Sequence, residues 1–223
     1  MRNILIVAPH ADDESLGCGG SILRFIDEGC QVSWLIVTGM SLEAGFSIEQ
    51  IERRKKEIEK VTMMYQFSNV IELNLPPAAL DTLPKGDIIA GISKVIKELE
   101  PQDVYTVYRN DVHSDHEMVF DAVASATKSF RYPFIERIFA YETISETDYG
   151  LKPEDSGFRP NVFVNISDYI DRKLKILNVF ESEMGIFPFP RSAKAIEALA
   201  IIRGSQANCN AAESFMLLKE IVT

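Results

Sequence analysis

Short apolar runs of the kind that form strands buried on both faces recur along this chain, and each is followed by a stretch with helical character. The runs are residues 4–8 (Ile-Leu-Ile-Val-Ala), 32–38, 70–73 and 104–108. Between them lie helical segments near 21–26, over 47–67 and over 88–99. In the last, Ile88, Ile92, Val95, Ile96 and Leu99 recur at offsets 0, 4, 7, 8 and 11, one face of a helix. A β-α-β-α-β-α-β order leaves few solutions, because parallel strands need long crossovers and crossovers put helices on the faces of the sheet. The expected fold is therefore α/β: a three-layer, Rossmann-like, mostly parallel sheet with helices on both faces, built as one domain over residues 1–223. Further strands are expected at 138–141 and 162–166, with helices at 169–183 and 193–207. Residues 150–160 and 185–191, rich in Pro, Gly and Arg, read as mobile loops where specificity would reside.

Charge narrows the function classes. Thirty-three acidic and 23 basic side chains give a net charge of −10, which repels phosphate backbones and anionic lipid surfaces. Neither nucleic-acid binding nor membrane insertion is expected. Apolar runs stay well short of the roughly 20 residues a membrane helix needs. The N-terminal run of five is also shorter than the roughly 7–15 of a secretion signal. Cys18, Cys30 and Cys209 are widely spaced and odd in number, as in a reduced, cytoplasmic protein.

The chemistry is concentrated in two polar clusters. All three histidines lie in them: Pro9-His10-Ala11-Asp12-Asp13-Glu14 and Asp111-Val112-His113-Ser114-Asp115-His116-Glu117. Each cluster directly follows a predicted strand, and parallel strand ends open onto one edge of the sheet. The pooled imidazoles and carboxylates suffice for three ligands to a divalent metal, with a base and an acid to spare. Of the adjacent Asp12 and Asp13, one can face the metal and the other its water. Ser114 and Glu117 form a capping-box pattern that would set His116 in the first helical turn, where the helix dipole favours the neutral imidazole that a metal requires. The simpler alternative makes these acids mere dipole partners and solvated loop residues. Gly17, Gly19 and Gly20 lack the pattern of a phosphate loop and read as close-packing positions, and Cys18 reads as a buried small hydrophobe.

With these residues in view, the chain resembles the LmbE/PIG-L-like N-deacetylases, the superfamily of N-acetylglucosaminyl-phosphatidylinositol de-N-acetylase. The family's Pro-His-Pro-Asp-Asp-Glu stands here as Pro-His-Ala-Asp-Asp-Glu, and its His-x-Asp-His as His113-Ser114-Asp115-His116. Weaker likenesses are Arg54-Lys55-Lys56-Glu57, Pro160 to Val164, and Arg203-Gly204 followed by Ala212 to Phe215. The resemblance implies that His10, Asp13 and His116 bind one Zn²⁺, or another divalent metal, per chain. It implies that Asp12 is the general base, and that His113, oriented by Asp115, stabilises the oxyanion and protonates the leaving amine. Arg54 would contact the substrate or, alternatively, pair with Glu57 one helical turn on. The implied reaction removes the N-acetyl group of a 2-acetamido sugar conjugate to give amine and acetate, and the implied partner is that small molecule. Family members form trimers, hexamers or dimers, so a homo-oligomer is compatible. Two other readings stand beside it: a mononuclear non-haem iron(II) enzyme using the same two histidines and carboxylate, and a metal-binding module without catalysis.

Overall fold

The computed structural model describes residues 2–152 and 154–222. Its strands are β1 (Asn3–Ala8), β2 (Gln31–Thr38), β3 (Asn69–Leu75), β4 (Asp103–Val107), β5 (Arg137–Tyr141), β6 (Val162–Asn165) and β7 (Ala212–Glu220). The helices are α1 (Asp13–Asp27), α2 (Ile48–Tyr65), α3 (Lys85–Leu99), α4 (Ser114–Ala126), α5 (Ile170–Leu177) and α6 (Ala193–Gln206). The strands make one sheet in the order β3-β2-β1-β4-β5-β7-β6. β1 to β5 pair in parallel, and β7 runs antiparallel between β5 and β6.

The continuous apolar runs are explained by burial on both faces. Ile4, Ile6 and Ala8 join a core with Cys18 and Ile22 of α1 and Val61 and Tyr65 of α2. The alternate residues Leu5 and Val7 join the other core, with Ile92 and Val95 of α3 and Val119 and Val123 of α4. A period of two therefore sorts β1 between two helical layers, as the three-layer reading requires.

Several boundaries differ from expectation. α1 begins at Asp13, so residues 13–20, ahead of the helix expected near 21–26, are helix as well. The three glycines weaken the helical signal there, but the packing requires them. A Cβ on Gly17 would collide with Tyr141 Cδ2, and one on Gly20 would stand 2.7 Å from Ile166 Cβ. α5 ends at Leu177 rather than 183, because the chain turns to bury Val179 and Phe180 in the core. β7 is not among the expected strands: its apolar run is only Phe215 to Leu218, flanked by Glu213 and Ser214 on one side and Lys219 and Glu220 on the other. The two segments read as mobile are pinned. Tyr108 donates to Asp155 at 2.8 Å and Lys152 to Glu117 at 2.9 Å, while Gly185 donates its N–H to the Arg191 carbonyl at 3.2 Å. Residue 153 of the first segment lies outside the described residues.

β1 is flanked by β2 on one side and β4 on the other. The chain order reverses between β1 and β4, so the loops leaving these two strands part to form a crevice at the carboxyl edge of the sheet. Both histidine clusters lie in those loops.

Candidate active site

His10 follows β1 by two residues, Asp12 is the N-cap of α1 and Asp13 is its first residue. From the other side, Asp111 and His113 leave β4, and His116 lies in the first turn of α4. The three imidazoles converge: ring centroids lie 4.6 Å apart for His10 and His113, 5.7 Å for His10 and His116, and 5.5 Å for His113 and His116.

A donor set for a cation is present. His10 Nδ1 lies 3.2 Å from Asp13 Oδ2, and His116 Nε2 lies 3.4 Å from the same oxygen. Donor atoms of His10, Asp13 and His116 all fall within 4.8 Å of one another. Each histidine is turned by an outer carboxylate. Asp111 Oδ2 takes His116 Nδ1 at 2.7 Å, and its Oδ1 accepts the Thr147 hydroxyl at 2.7 Å. Asp115 Oδ2 lies 3.0 Å from His10 Nε2, and the Asp115 carboxylate also accepts backbone N–H groups of Ala78 and Leu80 at 2.7 and 3.2 Å. A carboxylate only accepts, so His116 carries a proton on Nδ1, and it is Nε2 that would present a lone pair to a cation once its own proton is displaced. That Nε2 is buried with no hydrogen-bond partner. An orphaned buried nitrogen facing a carboxylate and a second imidazole is a fit for a divalent metal with N/O ligands.

The electrostatics point the same way. Burial lowers the His10 pKa, yet hydrogen bonds from Asp115 and Asp13 win and bring it to about 9. His116, likewise opposed by burial, is lifted to about 10 by the Asp13 charge and the Asp111 hydrogen bond. Asp13 is held well below the usual carboxylate range, because His116 and His10 outweigh its desolvation. A buried nest that holds protons this firmly favours positive charge, and a metal ion supplies it in the protons' place.

Around this set stand the other expected residues. Asp12 is buried, and its carboxyl is pushed up to about 6 by desolvation and by the neighbouring Asp13 charge, against the pull of Arg191. His113 is pushed down to about 4 by burial and by His10 and His116. Its Nδ1 accepts the Asp115 backbone N–H at 3.1 Å, making His113 the N-cap of α4. This replaces the expected Ser114–Glu117 capping box. Glu117 faces the surface instead and pairs with Arg109 and Lys152.

One expected role changes. The Asp115 carboxylate orients His10, whereas His113 is oriented through the Asp115 backbone. Arg54 lines the cavity, but its guanidinium is spent on protein: it pairs with Glu57 at 3.1 Å, the alternative expected of it, donates to the Ala11 carbonyl at 2.6 Å and to Ser182 and Glu183, and stacks over Phe180. It ties α2 to the loop that carries Asp12 and to the 182–183 turn. Sequence reasoning assigned no role to Asp111 or Thr147, although Asp111 lay inside the quoted cluster. It also gave no role around Asp12 to Arg191, Glu146 and Glu183, whose separation along the chain offers no local signal.

A cavity of about 470 Å³ opens onto His10, Asp12 and His113, within the roughly 300–1,000 Å³ range of small-molecule sites. It extends past the ends of β2 and β3 to the face of α2.

The chain is similar to known proteins in sequence and in fold. Residues 5–127 match the family model described as PIG-L, GlcNAc-PI de-N-acetylase. The chain is 28% identical over 191 residues to the probable N-acetyl-alpha-D-glucosaminyl L-malate deacetylase 2 of Bacillus cereus, covering 82% of this chain and 84% of that protein. It is 26% identical over 199 residues to the diacetylchitobiose deacetylase of Thermococcus kodakarensis, covering 82% of this chain and 70% of that protein. Among solved structures, the conserved protein TT1542 from Thermus thermophilus superposes with a TM-score of 0.78 at 25% identity, covering 100% of this chain and 97% of that one.

Proposed function

The chain belongs to the PIG-L family of GlcNAc-PI de-N-acetylases, and from that premise we propose that it hydrolyses the N-acetyl group of a 2-acetamido sugar conjugate, releasing amine and acetate, with a divalent metal held by His10, Asp13 and His116. The observation that carries the reading is the orphaned His116 Nε2 facing Asp13 beside His10, with Asp12 and His113 lining the cavity next to it. Zinc, when bound there, supplies Lewis acidity and a water acidic enough to ionise near neutral pH.

The remaining work falls to side chains. Asp12, with its carboxyl near 6, is ionised at neutral pH and close enough to neutrality to accept a proton from the attacking water. Because His113 Nδ1 accepts the Asp115 N–H, the proton of the neutral ring sits on Nε2. That N–H is a fixed donor for the oxyanion of the tetrahedral intermediate, usually the largest single contribution in acyl transfer. As the C–N bond breaks, the proton that Asp12 took from the water passes to the leaving amine, while the His113 N–H stays on its ring as donor to the oxyanion. Desolvation around the cluster strengthens each of these interactions.

Family membership favours hydrolysis over the iron(II)-enzyme reading. A passive metal module has no use for a buried base and a fixed imidazole donor beside the ligand set. The test is metal analysis of the purified protein followed by acetate-release assays on acetamido sugars. Stoichiometric metal, with turnover abolished by a chelator and restored by Zn²⁺, is the expected result; turnover unaffected by complete metal removal overturns it.

A further inference from the structure

The cavity has a chemical character of its own beyond the reacting end. Ile51, Lys55 and Ile58, at i, i+4 and i+7 of α2, line it together with Phe46 from the preceding loop. Met40, just past β2, adds a further apolar surface, and Glu72 of β3 supplies a carboxylate. The cations of the walls are already committed. Arg54 is held by Glu183 and the Ala11 carbonyl, and Arg191 by Asp12, Glu146 and Glu183. Lys55 alone among these wall cations makes no ion pair within the described residues, and the Glu72 carboxylate offsets it. Recognition of a carboxylate or phosphate group calls for positively charged donors set aside for it, typically arginine in bidentate geometry. This trough has no arginine to give, and its one unpaired cation among the described residues, Lys55, is an exposed point charge without the bidentate fork.

We propose that the acetamido sugar handled here carries a neutral aglycone with an apolar face, a further sugar or aryl ring, and that Phe46 sets this preference. The inference deepens the deacetylase reading and rests on it for the identity of the reacting end. A ring laid against Phe46 and the Ile51 side of α2 trades water contact for apolar contact, whereas an anionic group in the same place loses hydration and gains no arginine.

The test compares three probes at one ionic strength: N-acetylglucosamine, its phenyl glycoside, and its glycoside with a dicarboxylic acid. The phenyl glycoside should exceed the dicarboxylate in kcat/KM by about tenfold or more. Phe46→Ala should lower kcat/KM for the phenyl glycoside about tenfold through KM, leaving the free sugar within about twofold. Preference for the dicarboxylate overturns the proposal, as does a Phe46→Ala loss that is equal for all three probes. If no probe releases acetate, the deacetylase reading fails. Calorimetric binding of the same probes then decides the aglycone, with tighter binding of the neutral ring supporting the proposal and tighter binding of the dicarboxylate overturning it.

Discussion

The guanidinium of Arg191 donates to Asp12 Oδ2 at 3.0 Å across 179 residues of chain. The same side chain donates to Glu146 at 2.8 Å, to Ser145 Oγ at 2.7 Å and to Glu183 at 3.2 Å. One oxygen of the proposed base is thus fixed by a cation that is itself fixed by three other groups, and Oδ1 is left to serve the water. The bond also ties the 185–191 segment to the reacting end of the cavity.

Removing the base and removing its holder should differ in degree. Asp12→Asn is expected to bind metal normally and to lose about 10²–10⁴-fold in kcat. Arg191→Met, which frees the carboxylate to wander, should lose about a hundredfold. Metal content by elemental analysis, alongside acetate release, separates both from loss of a ligand. Near-wild-type kcat in Asp12→Asn would remove it from the role of base.

The Asp111 carboxylate reaches the proposed metal site only through His116. Asp111→Asn should weaken zinc affinity about 10–100-fold and leave turnover largely recoverable at saturating zinc. Titrating the apoprotein with Zn²⁺ while following acetate release reads both quantities. A variant with unchanged affinity would show that the 2.7 Å contact is incidental.

At the opposite end of β4, Asp103 is buried between Arg2 and Arg137, each bonded to both of its oxygens at 2.6–2.8 Å. Desolvation alone would raise its pKa, but the two arginines hold it below the usual value. With the folded pKa below the unfolded value of about 3.9, the stabilisation is fully present above that value and is lost as pH falls through the folded pKa. Asp103→Asn should therefore lower stability by about 3 kcal/mol at neutral pH, with a gap to wild type that narrows below about pH 4. Denaturant melts across pH 3–7 would reveal a pH-independent gap if the idea is wrong.

Gly17→Ala tests the packing of α1. The added methyl collides with the Tyr141 ring and meets the Glu142 carbonyl at 2.8 Å, and backbone cannot move aside as a flexible side chain can. Overpacking of this kind costs about 1–3 kcal/mol, read as a lower Tm. Gly29→Ala, where nothing lies within 4 Å but φ is +85°, should suffer only backbone strain.

The sheet and both histidine clusters were legible because their signals are local. β1 is apolar throughout since both faces are covered, and the histidines occur nowhere outside two strand ends. What escaped notice depends on distance or on competing signals. Glycines hid the start of α1, although they are there for Tyr141 and Ile166. β7 carries Glu213 inward, where it meets Lys173 at 2.6 Å and the N–H groups of Gly20 and Ser21, so burial of a charge disguised a strand. The Arg54–Glu57 pair was legible from its spacing, whereas the commitment of Arg54 to the Ala11 carbonyl and the 182–183 turn was not. Its partners Ser182 and Glu183 lie 128 and 129 residues away.

Since β1 and β4 are hydrogen-bonded neighbours, with Ile4 beside Asp103 and Ile6 beside Tyr105, the reacting groups inherit their spacing from backbone. The trough wall at 40–58 comes from a different connection, between β2 and α2. On the proposed reading, substrate choice and bond cleavage draw on different connections of the polypeptide, joined where Arg54 of α2 bonds the Ala11 carbonyl. Grafting that stretch from a relative with Arg54 kept becomes a direct way to redirect the enzyme while its reaction stays the same.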